Sequence, residues 1–230
     1  MKLSIIIPAY NEERTIAEII RRVHAVPLGS IEKEIIVVDD GSTDKTREVL
    51  QGLTGITVIL HEKNLGKGGA VKIGFARATG DIVLIQDADL EYFPEDYPEL
   101  IAPILNGTAD VVYGTRFLSG KPHRMFNFHH YLANRLLTFF SNICTNLNLS
   151  DVEVGYKVFT RDVVRALTPA LKSKRFGVEI ELTARVARGH YRIYEVGISY
   201  AGRSYAEGKK IGWRDGIAAF WHIARFNFWK

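Results

Sequence analysis

Cysteine is almost absent from this 230-residue chain. Cys144 is the only one, which excludes an intrachain disulfide and any cysteine-based zinc site. It lies in an apolar helical stretch and reads as a small core residue. Long hydrophobic runs are missing too: none reaches the roughly 18–20 residues that cross a bilayer. A strand begins within three residues of the N-terminus, where a signal peptide would need a charged and then an apolar stretch. The expectation is a cytoplasmic chain, peripheral on the cytoplasmic face of a membrane if it meets one. Repeats and low-complexity segments are absent, and no linker separates independent domains. Net charge is low at +4, but it is unevenly spread. Residues 161–230 hold 14 Lys and Arg against 6 Asp and Glu, so the C-terminal third suits an anionic partner: phosphates, a membrane surface or nucleic acid.

What is present is a β-α alternation. Residues 3–7, 34–38, 57–60, 82–85 and 110–113 are short, mostly apolar runs rich in Ile and Val, the pattern of strands buried on both faces. Apolar residues recur at helical spacing in 16–23, and 97–105 reads as a helix. The fold class is therefore α/β, with a Rossmann-like, mostly parallel sheet flanked by helices. Past Thr115 the pattern changes. Residues 114–127 read as a polar loop over the site, 131–147 as a long apolar helix, 151–160 as extended, 178–188 as a helix and 192–199 as a strand. The division expected is one domain over 1–212 and an amphipathic helix over 213–230.

The chemistry gathers at strand ends. The strand at 82–85 delivers Asp87 and Asp89 at its carboxyl end, the edge where open parallel sheets bind ligands. Two carboxylates one residue apart suit a hard divalent cation that also takes substrate phosphates. Asn11/Glu12 and Asp39/Asp40 follow two other strands, and a parallel sheet brings all three sets to one rim. Gly66-Lys67-Gly68-Gly69 opens a helix. It fits neither the dinucleotide fingerprint nor the P-loop pattern; it is a phosphate contact through backbone N–H groups or a plain helix entry.

Pro8-Ala9-Tyr10-Asn11-Glu12, Val38-Asp39-Asp40-Gly41-Ser42, Asn64-x-Gly66-Lys67-Gly68 and Asp87-Ala88-Asp89 occur in that order. Together they resemble the signatures of inverting family 2 glycosyltransferases with the GT-A fold. Gly114-Thr115-Arg116-Phe117, Asp151 with Gly155-Tyr156-Lys157, and Gly202-Arg203 with Gly208-Lys209 resemble the polyprenyl-phosphate hexose synthases, the group that includes dolichyl-phosphate mannose synthase. The resemblance implies a nucleotide-sugar pocket lined by Pro8, Tyr10 and Glu12, with Lys67, Gly68 and Ala88 at the sugar nucleotide. It implies that Asp39 hydrogen-bonds the base, that Asp87 contacts the donor, and that Asp89 ligates Mg2+ or Mn2+ with Asp87 and Glu91 nearby. It further implies transfer of a hexose from GDP-mannose or UDP-glucose to a polyprenyl or dolichyl phosphate.

A phosphate acceptor is anionic near neutral pH and needs cations rather than a base; a sugar hydroxyl needs a carboxylate. Arg116, Arg135, Arg203 and Lys209 are the candidate cations, with Lys210 beside the last. Asp151 is a base if it reaches the anomeric centre and an orienting group if it does not; Glu179 and Glu181 are the alternative bases. Two other readings stand beside the first: transfer to a hydroxyl of a glycan or lipid-linked oligosaccharide, and a non-catalytic sugar-nucleotide binding module. Nucleic acid is disfavoured, since the acidic strand ends repel a polyanion. At the C-terminus, Trp213, Ile217, Phe220, Trp221, Ala224 and Phe228 fall on one helical stripe, with Arg and Lys close by. That suits an interfacial membrane helix or a helix docked on the core.

Overall fold

The computed structural model describes residues 1–118, 121, 124–125, 127–175, 177–203 and 213–229, and of 213–215 and 217 the backbone alone. Lys209 and Lys210, and residues 119–120, 122–123 and 126 of the polar stretch expected to cover the site, lie outside the described residues.

Seven strands form one sheet. They are β1 (Lys2–Ala9), β2 (Glu32–Asp39), β3 (Thr57–Leu60), β4 (Ile82–Ile85), β5 (Val111–Thr115), β6 (Lys157–Thr160) and β7 (Ile193–Gly197). Their order across the sheet is β3-β2-β1-β4-β6-β5-β7. β6 alone among them runs antiparallel to its neighbours. The helices are α1 (Ile16–Ala25), α2 (Thr46–Gln51), α3 (Lys67–Arg77), α4 (Tyr97–Leu105), α5 (Phe128–Thr145), α6 (Arg161–Leu167), α7 (Val178–Arg188) and α8 (Trp213–Phe228). The sequence places most of these elements to within a few residues, but α2 and α6 have no bounds in it, and of 151–160 only 157–160 forms a strand.

Register sets the rim. Ala9 pairs with Asp39 and Ile6 with Ile85. The Asp40 N–H donates to the Ala9 carbonyl at 2.8 Å and that of Gln86 to Ile6 at 2.9 Å. The chain segments carrying Glu12, Asp39 and Asp87 therefore leave the sheet side by side. On the other half, Thr115 pairs with Gly197, which sends Arg116 and the 198–203 segment to that same edge. β1 and β4 are buried along nearly their whole length, as strands covered on both faces must be.

A second, smaller core holds the C-terminal helix. Ala219, Ile223 and Phe226 of α8 pack with Leu137 of α5, Val152, and Ile180 and Ala184 of α7. Cys144 is partly buried against this cluster, in line with its reading as a core residue. The buried face of α8 is thus not the stripe picked out in the sequence: Phe220, Trp221 and Phe228 are exposed, and the side chains of Trp213 and Ile217 lie outside the described residues. Among the described residues no helix is long and apolar enough to cross a membrane.

Candidate active site

The turn after β4 is tightly built. Asp89 Oδ1 accepts the Glu91 N–H at 3.1 Å, and Leu90 between them has φ +63°, a left-handed conformation that is strained for a branched residue. This reversal brings Glu91 back beside Asp89. Arg203 closes on both. Its guanidinium lies 3.3 Å from Asp89 Oδ2 and 3.3 Å from Glu12 Oε1, and its backbone N–H donates to Glu91 Oε1 at 2.7 Å. Tyr200 donates its hydroxyl to Glu91 Oε2 at 2.6 Å. Burial works against the charge on Arg203, but Asp89, Glu12 and Glu91 hold it above its ordinary value. Three of the acids expected at the rim thus converge on one cation.

Burial, with Asp87 and Glu91 alongside, pushes Asp89 up to about 7 despite Arg203. Its charge is under-compensated, as a metal ligand's would be without its ion. Among the described residues no three Asp, Glu, His or Cys side chains form a cluster able to hold an ion by themselves. One or two carboxylates is the protein share that Mg2+ takes where nucleotide phosphates complete the shell, so Asp89, aided by Asp87 or Glu91, fits such an ion.

Asp87 has a different partner. Lys67 Nζ sits 2.6 Å from Asp87 Oδ1 and 2.6 Å from Glu179 Oε1. Burial opposes its charge, yet the two carboxylates hold it above the ordinary lysine value. Glu179 Oε2 is buried without a partner, an acceptor open to a donor hydroxyl. Gly155 packs against Asp87, where a Cβ would collide with Oδ2. Gly66 and Gly68 pack against the backbone of 173–175, and a Cβ on Gly68 would strike the Ser173 carbonyl. The Gly69 N–H donates to the Lys174 carbonyl at 3.1 Å. The glycine turn is therefore a helix entry sealed by a neighbouring loop rather than a phosphate cradle, and Gly68 has a packing role; Lys67 is the residue it delivers.

Asp39 is fully buried. Oδ1 accepts from Arg47 at 2.7 Å and from the Ser42 N–H at 3.2 Å, whereas Oδ2 has no partner. That orphaned acceptor is what a base-reading carboxylate leaves open. Asp40 instead is spent on the chain: it accepts from the N–H groups of Leu65 and Gly66 and pairs with His61. Pro8 is half-buried on β1, Ala88 is buried, and Tyr10 is exposed just after β1.

Asp151 resolves the choice that the sequence leaves open. Oδ2 accepts from Arg116 Nε at 2.6 Å and the Arg116 N–H at 3.3 Å; Oδ1 accepts from an Arg116 terminal nitrogen at 2.7 Å and Asn134 at 3.1 Å. Four donors fill the four lone-pair positions of a carboxylate, so Asp151 orients Arg116 and is not a base. Glu181 is likewise consumed, by the N–H groups of Lys172 and Ser173 and by Arg185. The Arg116 guanidinium also lies 5.1 Å from the Tyr200 ring centre, which links it through Tyr200 to Glu91. Arg135 is exposed on α5, and no described contact joins it to this cluster. Its neighbour Asn134 is the one that reaches in. The sequence held a signal for this: Asn134, Thr138 and Ser141 are polar at helical spacing in a helix rich in Leu and Phe. The Tyr92–Tyr156 and Tyr92–Tyr200 ring contacts, at 4.8 and 5.3 Å, carried no such signal.

The family model described as glycosyl transferase family 2 matches residues 4–168. A dolichol-phosphate mannosyltransferase of Pyrococcus furiosus is 30% identical over 100% of this chain, which spans 65% of that relative's length. An undecaprenyl-phosphate mannosyltransferase of Micrococcus luteus is 30% identical over 98% of both chains. Among solved structures, glucosyl-3-phosphoglycerate synthase from Mycobacterium tuberculosis with Mn2+, uridine diphosphate and glucosyl-3-phosphoglycerate superposes with a TM-score of 0.75. That match has 24% identity and covers 98% of this chain and 80% of the other.

Proposed function

Because the chain belongs to glycosyl transferase family 2 and is a glycosyltransferase, we propose that it transfers a hexose, with inversion, from GDP-mannose or UDP-glucose to a polyprenyl phosphate. The observation that carries the acceptor is the saturated Asp151. The edge that holds Asp87 and Asp89 presents two ordered arginines, Arg116 and Arg203, and the fully buried Asp151 is spent on one of them. Such a site suits a nucleophile that arrives already anionic. The relatives from Pyrococcus and Micrococcus are named for dolichol phosphate and undecaprenyl phosphate, which supports the same reading.

In this reading an acceptor phosphate oxygen attacks the anomeric carbon from the side opposite the nucleotide. The new carbon–oxygen bond forms as the bond to the diphosphate breaks, and the nucleoside diphosphate leaves with the electron pair. Asp39 Oδ2 accepts a base N–H, and Glu179 Oε2 accepts a sugar hydroxyl. Lys67 holds Asp87 against the donor. Arg203 exchanges its carboxylate partners for phosphate oxygens, and Arg116, braced by Asp151, steadies the acceptor. Mg2+ or Mn2+, held by Asp89 with Asp87 or Glu91, would neutralise charge on the departing diphosphate.

The test is transfer of labelled sugar from each donor to a polyprenyl phosphate in the presence of Mn2+. Glycolipid from one donor is the expected result. Transfer to no prenyl phosphate from any common donor overturns the acceptor, and hydrolysis or transfer to a glycan hydroxyl would replace it.

A further inference from the structure

Helix α5 buries two polar residues beside Leu137 and turns most of its large apolar residues outward. Thr138 and Ser141 are buried against the protein, and Asn134 points inward to Asp151. The opposite face carries Leu132, Leu136, Phe139, Phe140 and Ile143, all exposed, Phe139 at 58% and Ile143 at 63%. A surface helix in water shows the reverse arrangement. The outer face of α8 continues this surface: Phe140 meets Phe220 edge-on at 5.7 Å, and Trp221, Phe228 and Trp229 are exposed beyond it. Scattered exposed apolar residues need no explanation, but a contiguous two-helix face does.

Beside this face, on the α7 flank of α8, is a cup of about 300 Å³ lined by Lys172, Arg185, Arg188, Arg225, Phe226 and Trp229. Glu181 offsets Arg185, and Arg188 caps the end of α8 through the Phe226 and Asn227 carbonyls. Among the described residues neither Lys172 Nζ nor the Arg225 guanidinium has an acidic partner. No acid lines the cup, and Trp229 forms one wall while touching Trp221 at 5.7 Å. Cations beside exposed Trp and Phe, at the border of an apolar face, are the chemistry of the headgroup layer.

The geometry points to a bilayer-docking face made by α5 and α8 together, with the α7–α8 cup as a binding site for the phosphate-bearing headgroup of an anionic lipid. The apolar stripe enters the headgroup–acyl boundary and the cup fixes its tilt through one lipid phosphate. This deepens the proposed function, since a polyprenyl phosphate is reached from such a surface, and it rests on that reading only for its purpose.

The experiment measures co-sedimentation of the full chain with vesicles of phosphatidylcholine, alone or with about one-third phosphatidylglycerol. Two double variants, K172E/R225E and F139S/W221S, are compared with the parent, and turnover of a water-soluble short-chain prenyl phosphate is followed in parallel. The parent should prefer phosphatidylglycerol vesicles. K172E/R225E should weaken that binding at least about tenfold, F139S/W221S should abolish it, and both should keep their melting temperature and short-chain turnover. Equal binding to both vesicles, or no loss in K172E/R225E, overturns the cup. A saturable site for inorganic phosphate without vesicle preference makes it a small-anion site and overturns the lipid. A dimer that F139S/W221S dissociates, with no vesicle binding, gives the face to a second copy and overturns docking. The expected vesicle pattern with no transfer to any prenyl phosphate supports docking and overturns the acceptor reading alone.

Discussion

Asp151 and Glu153 are two residues apart and have opposite electrostatic fates. Asp151 meets four donors, so its charge is matched. In the D151N variant the buried Arg116 loses its counter-charge, which costs about 3–5 kcal/mol when one partner of such a pair is removed. We expect a lower melting temperature and weaker acceptor binding, with the acidic limb of the pH–rate profile kept. Loss of that limb would make Asp151 a base after all. Glu153 has an orphaned oxygen, Oε1, and burial beside Glu179 pushes it up to about 7 from 4.5. Above the unfolded value the unfolded chain gives up this proton while the folded chain keeps it. Stability therefore falls as pH rises from about 4.5 to about 7, and the penalty is complete above that. E153Q should be more stable than the parent at pH 8, by up to about 3 kcal/mol, and no more stable near pH 4.5. Thermal unfolding at the two pH values decides it. Equal effects at both would mean that Glu153 is solvated.

At the scale of elements, the glycine turn into α3 shows how a motif is reused. Gly66 and Gly68 let the 173–175 backbone lie against the start of α3, and that seam aims Lys67 at Asp87 and Glu179. G68A should force the seam apart, destabilise the protein by about 1–3 kcal/mol and lower activity through misplacement of Lys67. Full stability with reduced donor binding would restore the phosphate-cradle reading. The turn was legible in the sequence as a helix entry; its partner loop, some 105 residues later, was not. Helices α5 and α8 carry the same lesson. Their apolar content is plain in the sequence, but which face docks is set by Val152, Ile180 and Ala184, residues that no periodicity within either helix reveals.

For the whole molecule, the rim at the carboxyl edge is the proposed site, and a ligand bridging it should stabilise the fold as one body. A ligand that binds only the folded chain adds about 2.7 kcal/mol at a hundredfold excess over its Kd. We expect the melting temperature to rise with one of GDP-mannose and UDP-glucose more than with the other, and more with Mn2+ than without. D89A should abolish the Mn2+ increment. An increment that survives in D89A places the cation elsewhere. The sequence by itself determined the strands, their order of acidic ends and the family, because buried parallel strands need unbroken apolar runs and the signatures are local. It also named Asp39, Asp87, Asp89, Arg116 and Arg203 as candidate site residues. Only the tertiary structure decided that Asp151 and Glu181 are spent on neighbours, that Asn134 rather than Arg135 faces inward, and that Arg203 sits among Glu12, Asp89 and Glu91. Apart from Glu181, whose donors lie 4 to 9 residues away, those facts depend on pairings across 17 to 191 residues of chain, and a carboxylate's role is fixed by the donors that reach it through space.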